Sequence, residues 1–530
     1  MTMSKAVILV CFLVLLGIPM LFRPAHDQAR PPVGSSRLII ITPHNEQIRR
    51  EFARAFDEWH DAQYGGRVNV IYTVPGGTSE IRKMLEAQFI AAIEAGREPG
   101  GDADLVFGGG SYEHTVLKRG VTATAPDGAS QSLSISVPVD LQMDWLETTY
   151  GENVIGDAYL YDPDRYWFGT ALSGFGIVFN RDMLAQINVP EPTAWHDLCH
   201  PRLRGWVSLV NPGQSGSITT AFEAILQRRG WTDGWRILRR AGANSRYFSA
   251  SSLKGPIDVS QGNAAMGVCI DFYGRYQSQA VARAAGVRPG SREVRIGYVD
   301  PPGEGTIDPD PISMLRGAPN PEIARRFIEF CLSEQAQALW QFSLDDQLGD
   351  GLGPREFELR RLPILRSMYE RHIDRMIDQV NPFELAAPLE HAHPHFRAFV
   401  AVLFASMVMD VHAQLVRAWE VIIAHPAYPA HAGIVTADSP EVNDPRLRRM
   451  LELFDAMPTV EGLDASAEGT RVYSFANPDD LAAVRSGWLG GGWKDAELWH
   501  KQSTPSDALR RNLTRFFREN YQAIVRMAEE

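Results

Sequence analysis

From Arg37 onward the chain alternates two hydrophobic rhythms. Leu38-Ile-Ile-Ile-Thr42 is a short β-branched run, and Pro43-His44-Asn45-Glu46 turns the chain after it. Ile48, Phe52, Phe56 and Trp59 then recur at helical spacing. Val68 to Val74 alternates like a second strand, and Pro75-Gly-Gly-Thr-Ser79 breaks it. Ile81, Leu85, Phe89 and Ile93 mark one face of the next helix. Ala103-Asp-Leu-Val-Phe107 is a third strand, and Gly108-Gly-Gly-Ser-Tyr112 leads into a short helix. Strands alternating with helices predict a mostly parallel sheet covered on both faces. In such sheets ligands gather in the loops that leave the carboxyl ends of the strands. Here those loops are Thr42–Asn45, Gly76–Ser79 and Gly108–Ser111.

The same rhythm returns later. Tyr166 to Asn180 is a long β-type stretch interrupted by glycines. Gly205-Trp-Val-Ser-Leu-Val210 is strand-like, and Asn211-Pro-Gly-Gln-Ser-Gly-Ser217 turns it into a helix marked by Ala221, Ile225 and Leu226. A strand, a tight turn and a helix start leave the N–H groups of Ser215, Gly216 and Ser217 without intrahelical partners. The helix dipole adds partial positive charge there, so the turn is a cradle for an anion or a polar ligand oxygen. The plainer reading is a helix capped by Ser217 with nothing bound. Further strands are expected over Ala264–Tyr273 and Arg295–Asp300, and a strand, turn and amphipathic helix over Pro311–Trp340. Beyond Met368 the pattern is helical, notably Phe396 to Ile423 and Pro505 to Glu530. The apolar run Phe399–Met409 is too short to span a bilayer and reads as a buried helix. Trp488-Leu-Gly-Gly-Gly-Trp493 reads as a tight or flexible surface segment.

Composition narrows the function. The chain has 530 residues, 45% of them hydrophobic and 22% charged, in the range of soluble globular domains. A net charge of −12 argues against a nucleic-acid binder, which would carry a basic face. Lys5 precedes the apolar run Ala6–Phe22, and a polar, proline-rich stretch follows it. Residues 1–36 therefore read as a signal peptide or an N-terminal membrane anchor plus linker, placing the protein outside the cytoplasm. Of four cysteines, Cys11 lies in the apolar run, while Cys199, Cys269 and Cys331 are unpatterned and suit buried thiols. His391-Ala-His-Pro-His395 invites a metal reading, but Pro394 forbids a regular helix and the stretch reads as a loop. No G-x-S-x-G, H-E-x-x-H or phosphate-binding-loop motif occurs, so nothing points to an enzyme.

Several segments taken in order carry a resemblance. They are Leu38-Ile-Ile-Ile-Thr-Pro-His-Asn45, Ala103-Asp-Leu-Val-Phe-Gly-Gly-Gly110, Ala171-Leu-Ser-Gly-Phe-Gly-Ile-Val-Phe-Asn180 and Asn211–Ser217. Pro311-Ile-Ser-Met-Leu-Arg-Gly-Ala-Pro-Asn-Pro321 and Arg325 to Gln335 continue them. The stretch from Arg37 to Met368 resembles a type II periplasmic solute-binding protein of an ABC importer, in the group with ferric-iron, phosphonate and sugar-phosphate receptors. The resemblance implies a two-lobed α/β fold, each lobe a mostly parallel sheet with flanking helices. It places lobe 1 at 37–168 with 299–345, lobe 2 at 169–298 and crossovers near Trp167–Leu172 and Arg295–Asp300. A mainly helical C-terminal extension, 346–530, is added. It further implies a monomer without a cofactor, which traps a small solute between the lobes and hands it to a membrane permease.

The expected ligand residues are Thr42, His44, Thr78, Ser79 and Ser111 of lobe 1, with Ser173, Ser215, Gly216, Ser217, Asp271 and Tyr273. Ser215, Gly216 and Ser217 would hold an organic anion through N–H and hydroxyl donors. Thr78 and Ser79 would approach from the other lobe, where Gly76 and Gly77 permit close contact. Asp271 would accept from a ligand amine or hydroxyl, and Tyr273 would stack or hydrogen-bond. In the ferric receptors a His near the position of His44 is a metal ligand, so with iron as cargo His44, Tyr273 and Tyr276 would be donors. That set lacks a neighbouring tyrosine pair, and the 108–112 loop lacks a carboxylate short of Glu113. The alternative to a transport receptor is a membrane-anchored bilobed protein with a sensory or docking role.

Overall fold

The computed structural model describes residues 36–287, 293–345, 349–386, 389, 391–429, 433–463, 470–486 and 505–529. The expected leader (but for Ser36) and Trp488–Trp493 lie outside the described residues.

The first lobe opens with β1 (Ser36–Ile41), α1 (Glu46–Tyr64), β2 (Val68–Thr73), α2 (Thr78–Glu94), β3 (Leu105–Phe107) and α3 (Ser111–Arg119). The β-branched run makes β1 a central strand, parallel to β2 at Ile40↔Tyr72 and to β3 at Ile41↔Val106. Leu38 and Ile40 face one side of this sheet and enter the core with Ile48, Phe52 and Phe56 of α1. Asn45 caps α1, its Oδ1 accepting from Ile48 N at 3.0 Å. β4 (Phe168–Ser173) ends at Gly174, where the chain crosses over.

The second lobe follows with β5 (Phe175–Asn180), β6 (Val207–Val210), α4 (Gly216–Arg229), α5 (Trp231–Ala243), β7 (Ser245–Ser249), β8 (Met266–Ile270), α6 (Asp271–Ala285) and β9 (Ile296–Val299). Its strand order is β7-β6-β8-β5-β9. Residues 300–307 return the chain to lobe 1 as β10 (Asp308–Leu315), α7 (Pro321–Cys331), α8 (Glu334–Gln341) and β11 (Leu362–Pro363). The lobe 1 order is β11-β4-β10-β3-β1-β2.

Three expectations change. Both sheets are mixed rather than mostly parallel: β1–β2, β1–β3, β6–β7 and β6–β8 are parallel, and the ladders of β4, β5, β9, β10 and β11 are antiparallel. The reason is that the strands carrying the chain between lobes pair antiparallel to the βαβ strands already there. For the same reason Phe168–Ser173 stays in the lobe 1 sheet, and the first crossover falls at Gly174.

The third change concerns residues after 345. The 349–386 stretch completes lobe 1, because Leu359, Leu362, Ile364, Met368 and Met376 join its core beside Phe168 and Trp340. The buried Glu51 carboxylate fastens the stretch by accepting N–H bonds from Arg355 (3.2 Å), Glu356 (2.6 Å) and Phe357 (2.9 Å). The remainder is mainly helical: α9 (Phe396–Phe404) with a wider turn over Ala405–Met409, α10 (His412–Ile423), α11 (Pro445–Asp455) and α12 (Pro505–Glu529), plus a hairpin of Thr459–Leu463 and Thr470–Ser474. It shares one core with lobe 2, with Phe399, Leu403, Trp419, Phe454 and Phe517 packing among Phe222, Trp235 and Ile237. The buried Arg240 seals this contact with an ion pair to Asp455 at 2.7 Å.

No single helix among the described residues is long and apolar enough to cross a membrane. The bent pair Phe396–Met409 and His412–Ile423 has the composition for it, but its apolar side chains lie in the lobe 2 core.

Candidate functional site

α4 begins at the mouth of lobe 2. Ser215, not Ser217, is its cap: Ser215 has extended backbone and its Oγ accepts from Ile218 N at 3.3 Å. Asn211 builds the turn before it, accepting from Gly213 N at 2.8 Å through Oδ1. Gly216 and Ser217 thus occupy the first turn, where N–H groups have no intrahelical acceptor.

This helix start faces lobe 1 across a cavity of about 330 Å³. Pro43, His44, Gly76–Thr78 and Gly109–Gly110 line it from lobe 1, and Gln214–Ser217, Ala250–Leu253 and Ile270–Tyr273 from lobe 2. The lobes touch around it. Lys83 Nζ donates to Gly213 O at 3.1 Å and Gln47 Nε2 to the Tyr276 hydroxyl at 3.3 Å. Gly77 stands so close to lobe 2 that a Cβ there would lie 2.7 Å from Gln214 O.

The structure brings His44, Thr78, Ser173, Ser215, Gly216, Ser217 and Tyr273 to this cavity. Four other expected residues do not line it. Thr42 Oγ1 donates to Phe107 O at 2.6 Å and accepts from His44 N at 3.1 Å, so it shapes the turn. Ser79 donates to Glu113 Oε1 at 3.0 Å, and that carboxylate also binds Arg82 at 2.5 Å. Ser111 donates to Asp308 through both N and Oγ. Asp271 lines a separate hollow with Arg275 and Asp300, and its Oδ1 accepts from Phe272 N at 2.7 Å. Burial pushes the Asp271 carboxyl up to about 6, against the pull of Arg275.

Sequence reasoning missed Arg361. It enters the cavity wall from the 349–386 stretch, nine-tenths buried, with its guanidinium 4.2 Å from the centre of the Phe272 ring and paired to Asp310. Nothing in the local spacing of that stretch ties it to β4, the strand with which β11 pairs. Burial pulls Arg361 down to about 10. Asp310 also accepts from Gly109 N at 2.6 Å and faces His44 Nε2 at 3.2 Å. The Gly109 backbone has φ +118°, a conformation that requires glycine. A carboxylate opposite Nε2 fixes the His44 proton on that nitrogen. Burial first, then the Arg361 charge, hold the His44 pKa well below its ordinary value, so the ring is neutral. Asp308 lines the cavity too, and burial lifts its carboxyl to about 6 despite the Ser111 bonds.

These residues do not fit a hard ferric ion. His44 Nε2 is engaged by Asp310, Tyr276 is exposed and points at Gln47, and a guanidinium stands in the wall. Hard ferric iron needs several converging anionic oxygens. No group of three or more His, Cys, Asp or Glu suited to a metal occurs among the described residues. His391–His395 is indeed a loop, held by Gln227, whose Oε1 accepts from His393 N at 2.8 Å. Cys199, Cys269 and Cys331 are free and buried.

Residues 145–344 match the family model of the bacterial extracellular solute-binding proteins. Over 169 residues the chain is 27% identical to the phosphoglycerate transport regulatory protein PgtC of Salmonella typhimurium, which covers 32% of this chain and 39% of that protein. Over 212 residues it is 26% identical to an uncharacterized protein of Haemophilus influenzae, 38% of this chain and 55% of that one. The chain thus spans about two fifths to about half the length of these curated relatives. The periplasmic binding protein AfuA from Actinobacillus pleuropneumoniae, solved with fructose 6-phosphate, aligns with 72% of this chain and 97% of its own at 15% identity and a TM-score of 0.47. The family match contains both crossovers, at Gly174 and at 300–307, and these join the two sheets. Over residues 145–344 the chain is therefore similar to the bacterial extracellular solute-binding proteins.

Proposed function

We propose that the protein captures a small organic anion, a phosphorylated one in first place, in the cleft between its lobes and presents it to an ABC permease outside the cytoplasm. The observation that carries this reading is the α4 start. Gly216 and Ser217 face the cavity with free first-turn N–H groups, opposite the N-terminus of α2 at Gly77–Thr78. Two helix beginnings converging on one space attract negative charge from both sides. The Arg361 guanidinium adds planar donors suited to phosphate or carboxylate oxygens. No bond needs to be made or broken: the solute stabilises the closed arrangement by its greater affinity for it.

A thermal-shift and calorimetric panel tests the reading on the full chain. 3-Phosphoglycerate comes first, in view of the relative named for phosphoglycerate transport, then other phosphate esters, phosphonates and ferric citrate. A solute at a hundredfold excess over Kd stabilises by about 2.7 kcal/mol. Ser217→Pro removes one first-turn N–H that makes no intrahelical bond, and Arg361→Met removes the guanidinium. Each should weaken the anion at least about tenfold, near 1.4 kcal/mol. A response to ferric citrate alone would overturn the proposal.

One observation favours a second reading, a sensory or docking role. The extension is fused to lobe 2 through a common core and also reaches lobe 1, where Arg397 ion-pairs with Glu113 at 3.6 Å. Silence of the whole panel would support this reading.

A further inference from the structure

Behind the cleft lies a second cavity, of about 370 Å³. It is separated from the front by Thr220 and Asp308, which line both. Its walls are mostly apolar and come from three parts of the molecule. Tyr112, Ile155 and Trp167 belong to lobe 1, Ala224 to the flank of α4 in lobe 2, and Thr306 and Ile307 to the returning crossover. None of the expected anion-binding residues of lobe 2 lines it.

We propose that this rear chamber is a second ligand site, for a mostly apolar molecule of one or two fused rings without an anionic group. The volume lies at the lower end of small-molecule pockets, which suits a body of that size. The charged groups lining the wall are three carboxylates, Asp157, Glu223 and Asp308, and one cation, Arg228. Glu223 pairs with Arg397 at 3.2 Å, Asp308 takes the Ser111 hydroxyl at 2.7 Å, and Arg228 donates to Gly305 O at 3.0 Å. An anionic ligand would therefore enter a mostly apolar space that already holds an excess of negative charge, which is costly. Because both lobes supply the wall, an occupant holds the closed arrangement, and by linkage it tightens any solute in the front cleft by the factor that solute tightens it.

Calorimetry of the full chain with coumarin, an uncharged two-ring carbonyl compound, tests this independently of the front site. Coumarin is expected to bind, and benzoate is expected not to. Ala224→Phe fills the chamber from α4 and Ala158→Phe fills it from the opposite hairpin. Either should weaken coumarin at least about tenfold. Both variants are checked for folding by circular dichroism. Absence of coumarin binding to the unaltered chain overturns the proposal. So does affinity that survives in the folded filled variants, or equal binding of benzoate.

Discussion

Gly77→Ala separates closure from folding. Gly77 has φ −71° and ψ 169°, a conformation alanine adopts freely. A Cβ there meets nothing within 4 Å except the Gln214 carbonyl of lobe 2, 2.7 Å from the oxygen. The clash therefore exists only when the lobes are together. Relieving it means moving one lobe by several tenths of an ångström, and overpacking of this kind costs about 1–3 kcal/mol. Solute affinity should fall by roughly fivefold to 150-fold, since each 1.4 kcal/mol is about tenfold. The open lobes should hardly notice. Losing glycine's freedom in the unfolded chain stabilises by about 0.4–1 kcal/mol, and alanine's weaker capping at the start of α2 offsets a similar amount. Urea unfolding without solute should then shift by under about 0.5 kcal/mol, while calorimetry with the solute found in the panel shows the loss. Affinity within twofold of the unaltered chain would refute the argument, because the lobes would then not meet at Gly77 and Gln214 when solute is bound.

Glu51→Gln should destabilise lobe 1 by about 2–3 kcal/mol, read by urea unfolding, because a charged acceptor of three backbone N–H groups is lost. Burial pushes Glu51 up, but Arg54 and those N–H bonds outweigh it and hold the carboxyl below its ordinary value. Its contribution is thus present above the unfolded value near 4.5 and vanishes as pH falls through the folded one, and the variant should lack that acid loss. Asp308 has the opposite sign. With its folded value raised to about 6, it takes up a proton as pH falls from 7.5 to 5.5, so an anion should bind more tightly at the lower pH. Asp308→Asn should bind the anion more tightly at pH 7.5 and flatten that profile in calorimetry. Arg397→Met keeps the buried stem but removes bonds to Thr220 (2.7 Å) and Glu223 on lobe 2. It also removes contacts to Glu113 and the Tyr112 ring (4.6 Å) on lobe 1. It should lower stability by about 2 kcal/mol and solute affinity by several-fold, and an unchanged affinity would free Arg397 from any part in closure.

The elements nearest the cleft were legible because their signals are local. Helical spacing at Ile48–Trp59 and Ile81–Ile93, the glycine turns and the β-branched run at Leu38 each state a structure within a few residues. The α4 cradle was legible for the same reason, down to a cap misplaced by two positions. What failed needs long-range pairing. Thr42, Ser79 and Ser111 look like ligand residues in a polar loop, and only the fold shows their hydroxyls turned to Phe107, Glu113 and Asp308. Arg361 is the converse, a cleft residue whose partner, Asp310, lies about fifty positions earlier in the chain. Strand direction was also out of reach, since hydrophobic period says where a strand lies and not which neighbour it takes.

The extension changes what opening the cleft entails. It shares the lobe 2 core, so it travels with α4 when the lobes part. Arg397 stands at the start of α9 with one side of its guanidinium on Thr220 and Glu223 and the other toward Glu113. Glu113 keeps Arg82 and Ser79 whether the lobes are together or apart, because all three belong to lobe 1. Separation therefore strands no carboxylate; it withdraws one cation from one face of an ion pair that has another. Breaking such a contact costs far less than leaving a buried charge alone. The bridge is thus weak enough to open, and it ties the extension to lobe 1 in the arrangement in which the lobes touch.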